Sequence, residues 1–362
     1  MYFLSCDGQN CRKYGNSNPI AVYNASDDTD MWKKLYMDIK ADRNIHKYVI
    51  HLGDQVYMDD AHDELIKNNT INDEVVMRRT FFEAYKRNYS NRYKKKVLQS
   101  AYNVMIGDDH ELIDNYGSVP NKLTPTMLKN VKAMYKLFQE DLYGVKEHNI
   151  KHLVFKDFQI IIPDLRKYRK PNTESVTDTI TKYPIMGQTQ MKELDDIVKN
   201  TPINMQRTYY VSTIPLVGVN KMMDKIIGII SGNTSVNADD YIQSSGYSNE
   251  RRHIMNKLFE LSKVVVVCGD YHYAEHYTLV KNDKTIQQIT TSPISSDPIT
   301  LRSPFYEKML GWFLTTLLYE RTIDDIAIDK KWFVCDYNYL KATSTSTYLC
   351  CYDENSSKSI EM

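Results

Sequence analysis

Three short stretches carry residues that could do chemistry together: Gly53–Tyr57 (GDQVY), Gly107–Glu111 (GDDHE) and Gly269–His272 (GDYH). Asp54 can offer one oxygen to each of two cations, and Tyr57, one turn on, could serve a hard trivalent ion as phenolate. A tyrosine taken alone packs with its hydroxyl hydrogen-bonded more often than it ligates, and the chain has 28 of them. Asp108 and Asp109 are adjacent acids beside His110, a combination costly to hold close unless a cation or solvent compensates. Asp270 and His272 stand two residues apart, so a carboxylate and an imidazole can enter one site. Taken together, three acid-bearing turns, two with a histidine, predict a metal-dependent centre.

The elements that must position them are apolar runs ending in acids. Tyr2–Ser5 leads to Cys6–Asp7, Tyr48–Leu52 to Gly53–Asp54, Tyr102–Ile106 to Gly107–Asp108, Phe158–Ile162 to Pro163–Asp164, and Val264–Cys268 to Gly269–Asp270. The four valines of the last run fit a strand covered on both faces. Strands that deliver acids at their carboxyl ends converge on one edge when they lie in parallel or paired sheets. Glycine before the acid, in three of the five, allows a sharp turn or a close approach. Between the strands, Asp73–Leu98 reads as one helix with acids early and lysines late. Pro125–Leu142 carries an apolar stripe at helical spacing, and Ser248–Lys263 is a helix with Ser248 as N-cap. Lys170–Thr181 reads as a surface loop, Val219–Gly246 as a mobile insertion, and Thr347–Cys351 as a last strand before a frayed end over 353–362. This alternation predicts a single α/β (α+β) domain over 1–343, followed by a C-terminal strand and tail over 344–362.

Composition narrows the class. The 362 residues suffice for a sizeable core, and 46 basic residues balance 46 acidic ones, so no global field points to nucleic acid or anionic membrane. The basic run Arg92–Lys96 reads as a solvated helix face. Six cysteines without a CxxC spacing argue against a disulfide framework. The longest later apolar run, Met309–Tyr319, is too short to span a bilayer, and Tyr2–Ser5 lacks the features of a signal peptide. A cytoplasmic setting is therefore expected, and the Asn, Lys, Ile and Tyr richness suggests an AT-rich genome, viral or protist.

In order, GDQVY, DDHE and GDYH resemble the metallophosphoesterase signature in the form typical of PhoD-type alkaline phosphatases. The resemblance extends to Ser5–Cys6, to Asp164–Arg169 (DLRKYR), to Met186–Gln190, to Asp240–Tyr241 with Glu250–Arg251, and to Thr290–Ser292 with Ser295–Ser296. It implies a four-layer αββα sandwich of two mixed sheets flanked by helices. It also implies a ferric ion (Fe3+) held by Cys6, Asp54, Tyr57 and His272, and a calcium ion (Ca2+) held by Asp54, Asp109 and Asp270. Thiolate and phenolate suit iron, and an all-carboxylate set suits a hard cation of flexible geometry. Cys268, inside its strand, stays out of that set. The reaction implied is hydrolysis of a small-molecule phosphate mono- or diester, with a metal-bridging hydroxide attacking in line. His110 would face the leaving oxygen as proton donor or hydrogen-bond stabiliser, and Arg166 would act as a fork for the non-bridging oxygens. Tyr273, Glu275 and His276 are expected to line the pocket or orient His272. A different class of reading, a non-catalytic binding protein that retains the fold, would expect decay of the ligand set, and no ligand is missing.

Overall fold

The valine run at 264–268 shows how the chain builds its layers. In this computed structural model every residue of the strand is buried, with Val264 and Val266 facing one apolar cluster and Val265 and Val267 facing another. Alternation of side chains across a pleat thus requires cover on both faces, which is why no polar residue interrupts the run. The structure describes residues 1–8, 31–118, 123–141, 149–170, 183–218, 245–295, 321–334, 336–343, 346–351 and 357–360. The expectations for Cys11, Cys335, most of 170–181, nearly all of 219–246 and the run 309–319 fall outside them.

The described strands are β1 (Tyr2–Leu4), β2 (Tyr48–Leu52), β3 (Tyr102–Ile106), β4 (Ile150–Val154), β5 (Phe158–Pro163), β6 (Arg207–Ser212), β7 (Val264–Cys268), β8 (Ala274–Lys281), β9 (Lys284–Thr290), β10 (Thr322–Ile323), β11 (Ile326–Val334), β12 (Asn338–Ala342), β13 (Thr347–Cys351) and β14 (Lys358–Ile360). The helices are α1 (Met31–Ala41), α2 (Asp59–Lys67), α3 (Glu74–Asn88), α4 (Arg92–Ser100), α5 (Pro125–Tyr135), α6 (Gly187–Asn200) and α7 (Ser245–Glu260), with a π-turn at Lys136–Glu140.

The strands form two mixed sheets. One has six strands in the order β14-β13-β12-β1-β2-β3, and the other has eight in the order β10-β11-β8-β9-β7-β6-β5-β4. Phe3, Ile50, Leu52, Ile160, Val211, Val265 and Leu340 fill the space between them. Trp32 and Leu35 of α1 cover the outer face of the six-stranded sheet. Leu194 of α6 and Leu258 of α7 cover that of the eight-stranded sheet. Helices α2, α3 and α5 make a separate apolar cluster through Leu65, Phe81 and Val131. This is the expected αββα arrangement.

Parallel pairing brings the site-bearing ends abreast. Within one sheet β1, β2 and β3 run parallel, with Leu4 opposite His51 and Leu52 opposite Ile106. Within the other, β6, β7 and β9 run parallel, with Ser212 opposite Cys268 and Cys268 opposite Thr290. The Ile294 N–H donates to the Ser5 carbonyl at 3.0 Å and joins the two sheets at this edge.

Several expectations change. The single helix over 73–98 is two, because Asn91 breaks it by accepting the Tyr93 and Lys94 amides and capping a new start. Helix α7 begins before Ser248, which lies inside it rather than at its cap. Lys94, expected on a solvated face, is fully buried and pairs with Asp7 at 2.7 Å. The segment expected to fray supplies β14, paired antiparallel to β13 with Ile360 buried.

Candidate metal centre

The three acid-bearing turns meet at the carboxyl edge of the paired sheets. Oxygens of Asp54, Asp108, Asp109 and Asp270 all lie within 4.8 Å of one another, and Asp54, Asp109 and His110 form an overlapping group on the same criterion. Beside them runs a second chain of donors. The Cys6 Sγ lies 3.5 Å from Asp54 Oδ2, the Tyr57 hydroxyl lies 3.5 Å from the same oxygen, and that hydroxyl is 2.9 Å from His272 Nε2. Every metal-ligand residue expected from the sequence is therefore in one neighbourhood. Asp108, read from the sequence as a strand-end acid but assigned to neither ion, joins as a fourth carboxylate.

The backbone at these donors is unusual. Cys6, Asp54, Asp270 and His272 have φ of 55°, 54°, 71° and 53°, in the left-handed region that side-chain-bearing residues seldom adopt. Such conformations cost of order 1–3 kcal/mol each and cluster where function requires a particular aim. Gly53 explains one approach: at φ 97°, a Cβ there would sit 2.5 Å from the Asp108 Cβ. Gly269 serves close packing, since a Cβ would stand 2.8 Å from the Ser5 side chain.

The electrostatics call for positive charge. Burial pushes the Asp54 carboxyl well above its ordinary range, and Cys6, Asp109, Asp108 and Glu111 push it further. Its Oδ1 is buried and has no hydrogen-bond partner, an expense a folded chain rarely leaves unmet. Burial also raises the Cys6 thiol, against hydrogen bonds from Ser292 and Ser5. Four crowded carboxylates, a buried thiol and a phenol next to an imidazole are the donor types that a cation would deprotonate and gather. The residues present therefore fit a pair of bound cations.

Two carboxylates assigned no role from the sequence, Glu111 of the DDHE stretch and Asp59, hold this arrangement. Glu111 is buried and accepts from the Asp54 and Asp108 amides at 3.1 and 2.6 Å with one oxygen. With the other it accepts from the Gln55 amide at 2.6 Å and Gln139 Nε2 at 3.2 Å. It ties the turn after β2 to the turn after β3. Asp59, at the start of α2, accepts from His110 Nδ1 at 2.7 Å and from the Asp114 amide at 2.9 Å. Burial works against a charged His110 ring, but Asp109 and Asp59 outweigh it and push its pKa up to about 10.

Arg166 lies at the same edge. Its Nε donates to Asp108 Oδ1, an Nη reaches Asp109 at 3.3 Å, and the other Nη donates to the Tyr116 carbonyl at 3.1 Å. Asp164 does not pair with that guanidinium; its Oδ1 accepts the Arg166 and Lys167 amides at 2.9 Å. Gln190 of α6 clamps the Asp164 backbone, accepting its amide at 2.9 Å and donating to its carbonyl at 2.7 Å. Of the five strand-end acids, Asp7 and Asp164 are thus spent on Lys94 and on backbone amides, and three ends supply the cluster. Glu275 and His276 point elsewhere: Glu275 pairs with Lys330 at 2.9 Å and His276 with Gln287 at 2.6 Å. They sit on β8 beyond the turn, on opposite faces of the eight-stranded sheet. His51 and His62 bind Asn103 and the Leu112 carbonyl, and Cys268 is buried within β7.

Comparison with known proteins bears on this geometry. The family profile described as PhoD-like phosphatase matches residues 20–311. The fold is similar to the solved structure of PhoD, with a TM-score of 0.61 and 14% sequence identity, covering 99% of this chain and 71% of that one. It is also similar to the purple acid phosphatase PPD1 from yellow lupin seeds, with a TM-score of 0.49, 10% identity, and coverage of 96% and 50%. No curated protein sequence matches the chain. Among the described residues, no helix is long and apolar enough to cross a membrane.

Proposed function

This chain belongs to the PhoD-like phosphatase family, and from that membership and the donor cluster we propose that it hydrolyses small-molecule phosphate mono- or diesters at a two-cation centre. The observation that carries the reading is the convergence of Cys6, Asp54, Tyr57 and His272 on one side and Asp54, Asp109 and Asp270 on the other, with a buried, unpartnered oxygen on the shared Asp54.

The thiolate–phenolate–imidazole set would hold a ferric ion and the carboxylate set calcium, with Asp108 as a further oxygen donor. Bound there, the pair would supply a nucleophile at neutral pH and charge to neutralise the phosphoryl oxygens. The chain's own residues do the rest. His110, its Nδ1–H held by Asp59, donates a proton from Nε2 to the departing oxygen. Asp59 keeps that ring charged and aimed. Arg166 stands between the carboxylate pair and an adjoining cavity, so its fork serves the non-bridging oxygens while fixing Asp108 and Asp109. Glu111 holds the two acid-bearing turns in register.

Metal analysis with an absorption spectrum tests the iron assignment: a ferric phenolate absorbs visible light, and loss of that band in Tyr57→Phe is expected. A colourless, iron-free protein with an intact fold would overturn it. Hydrolysis of a chromogenic phosphodiester by the wild type and by Asp54→Asn tests catalysis. Equal rates would leave a binding protein on a retained fold.

A further inference from the structure

Next to the donor cluster, on the side of β3 and β5, lies a cavity of about 320 Å³. Its inner wall is made by Asp108 and Arg166, which also belong to the acid cluster. A phosphoryl group at the cluster therefore has this cavity as the neighbouring space on the Arg166 side. Apolar side chains, Ile106, Leu112 and Ile162, line it with the rings of Tyr116 and Tyr135. Tyr135 is fixed there, because its hydroxyl accepts the Gly107 amide at 3.1 Å.

The mouth is cationic. Lys132, Lys136 and Lys167 all line the cavity and are exposed; Lys136 is paired with Asp141 at 2.7 Å and half-buried Lys151 donates to the Met105 carbonyl at 2.6 Å, so Lys132 and Lys167 supply the charge at the opening, against the carboxylate of Glu140. The other acids of the lining are turned inward: Asp164 to the backbone amides at 166 and 167, Asp108 to Arg166, and Glu111 to the two acid-bearing turns. Lys132 lies over the Tyr116 ring with its Nζ 5.7 Å from the centroid, and Lys167 reaches Asn149 at 3.2 Å. Both ammonium groups are thereby kept at the rim. An apolar interior with positive charge at the opening selects a ligand that is hydrophobic in the middle and anionic at its far end.

We propose that this cavity receives the alcohol half of the ester, and that the preferred substrates carry a second anionic group on that half, met by Lys132 and Lys167. The inference rests on the hydrolase reading above and narrows its substrate class to esters of anionic alcohols.

A matched pair of substrates separates charge from size: 4-carboxyphenyl phosphate and 4-carbamoylphenyl phosphate, assayed with the metal-loaded full chain. The wild type is expected to favour the carboxylate in kcat/KM, and the preference should shrink as ionic strength rises. In the double variant Lys132→Gln/Lys167→Gln the ratio of the two kcat/KM values should fall about 5–10-fold, as expected for two rim charges. Lys199→Gln, on the exposed side of α6, serves as the control and should keep the ratio. A wild-type ratio at or below one, or a ratio that the double variant does not move, overturns the inference and leaves the hydrolase reading standing. Failure of the wild type to hydrolyse either ester would overturn the inference, and only failure on the chromogenic phosphodiester as well would remove the hydrolase reading.

Discussion

Glu111→Gln probes the joint between the two acid-bearing turns. The wild-type carboxylate accepts four donors, two on each oxygen, three of them backbone amides between 2.6 and 3.1 Å. Glutamine keeps one acceptor and places an NH2 against the other pair, so two buried donors lose their partner. Each such loss costs about 1–3 kcal/mol, or roughly 2–6 in all. A gain opposes it: burial pushes the Glu111 pKa up to about 7, so removing that charge returns up to about 3 kcal/mol at neutral pH. At mid-range the loss of about 4 kcal/mol exceeds the gain by about 1 kcal/mol or more, read as a lowered chemical-denaturation midpoint. Because the lost bonds sit on Asp54 and Asp108 themselves, bound metal and phosphodiesterase rate should fall further than stability does. A midpoint shift under about 0.5 kcal/mol with full metal content would refute the argument, showing that the turns hold their register without this carboxylate.

Asp59→Asn removes the charge that faces His110 Nδ1 at 2.7 Å; kcat should drop about 10–100-fold with little change in KM, and a pH–rate profile should show its basic limb moved to lower pH. Gly53→Ala places a Cβ 2.5 Å from that of Asp108 at a φ of 97°, so a loss of roughly 2–4 kcal/mol in unfolding free energy is expected, and a normal melting temperature would contradict it. Burial lowers the His51 pKa to about 4. The unfolded chain therefore binds more protons than the folded one between about 4 and the ordinary histidine value of about 6.5. Stability is present above 6.5 and falls by roughly 3 kcal/mol as pH drops through that window; His51→Gln should flatten the slope of denaturation midpoint against pH, and an unchanged slope would exclude this ring as its source.

The layered fold was legible because its signals are local. A run such as Val264–Cys268 states by composition alone that both faces are covered, and an acid after such a run states where the strand must end. Helix boundaries were less legible: the break at Asn91 depends on a cap that competes with a continuous apolar pattern, and the sequence around it reads equally as either. The extra strand at 358–360 escaped because three residues carry little pattern until a neighbouring edge is there to pair with.

The site divides in the same way. The residue types and their order along the chain, Cys6, Asp54–Tyr57, Asp108–Glu111 and Asp270–His272, were enough to name candidate donors and the family resemblance. What they could not state is which strand-end acids reach the cluster, because that depends on partners far away in sequence. Asp7 is captured by Lys94 and Asp164 by the amides it caps, whereas Asp108 is drawn in by Arg166 and Thr213. The roles of Glu111 and Asp59 likewise appear only once the turns after β2 and β3 are packed against α2. By itself the sequence marked the candidate donors and the strands that end in them. Only the tertiary structure decided their company, since charge crowding and burial are properties of the assembled edge rather than of any one strand.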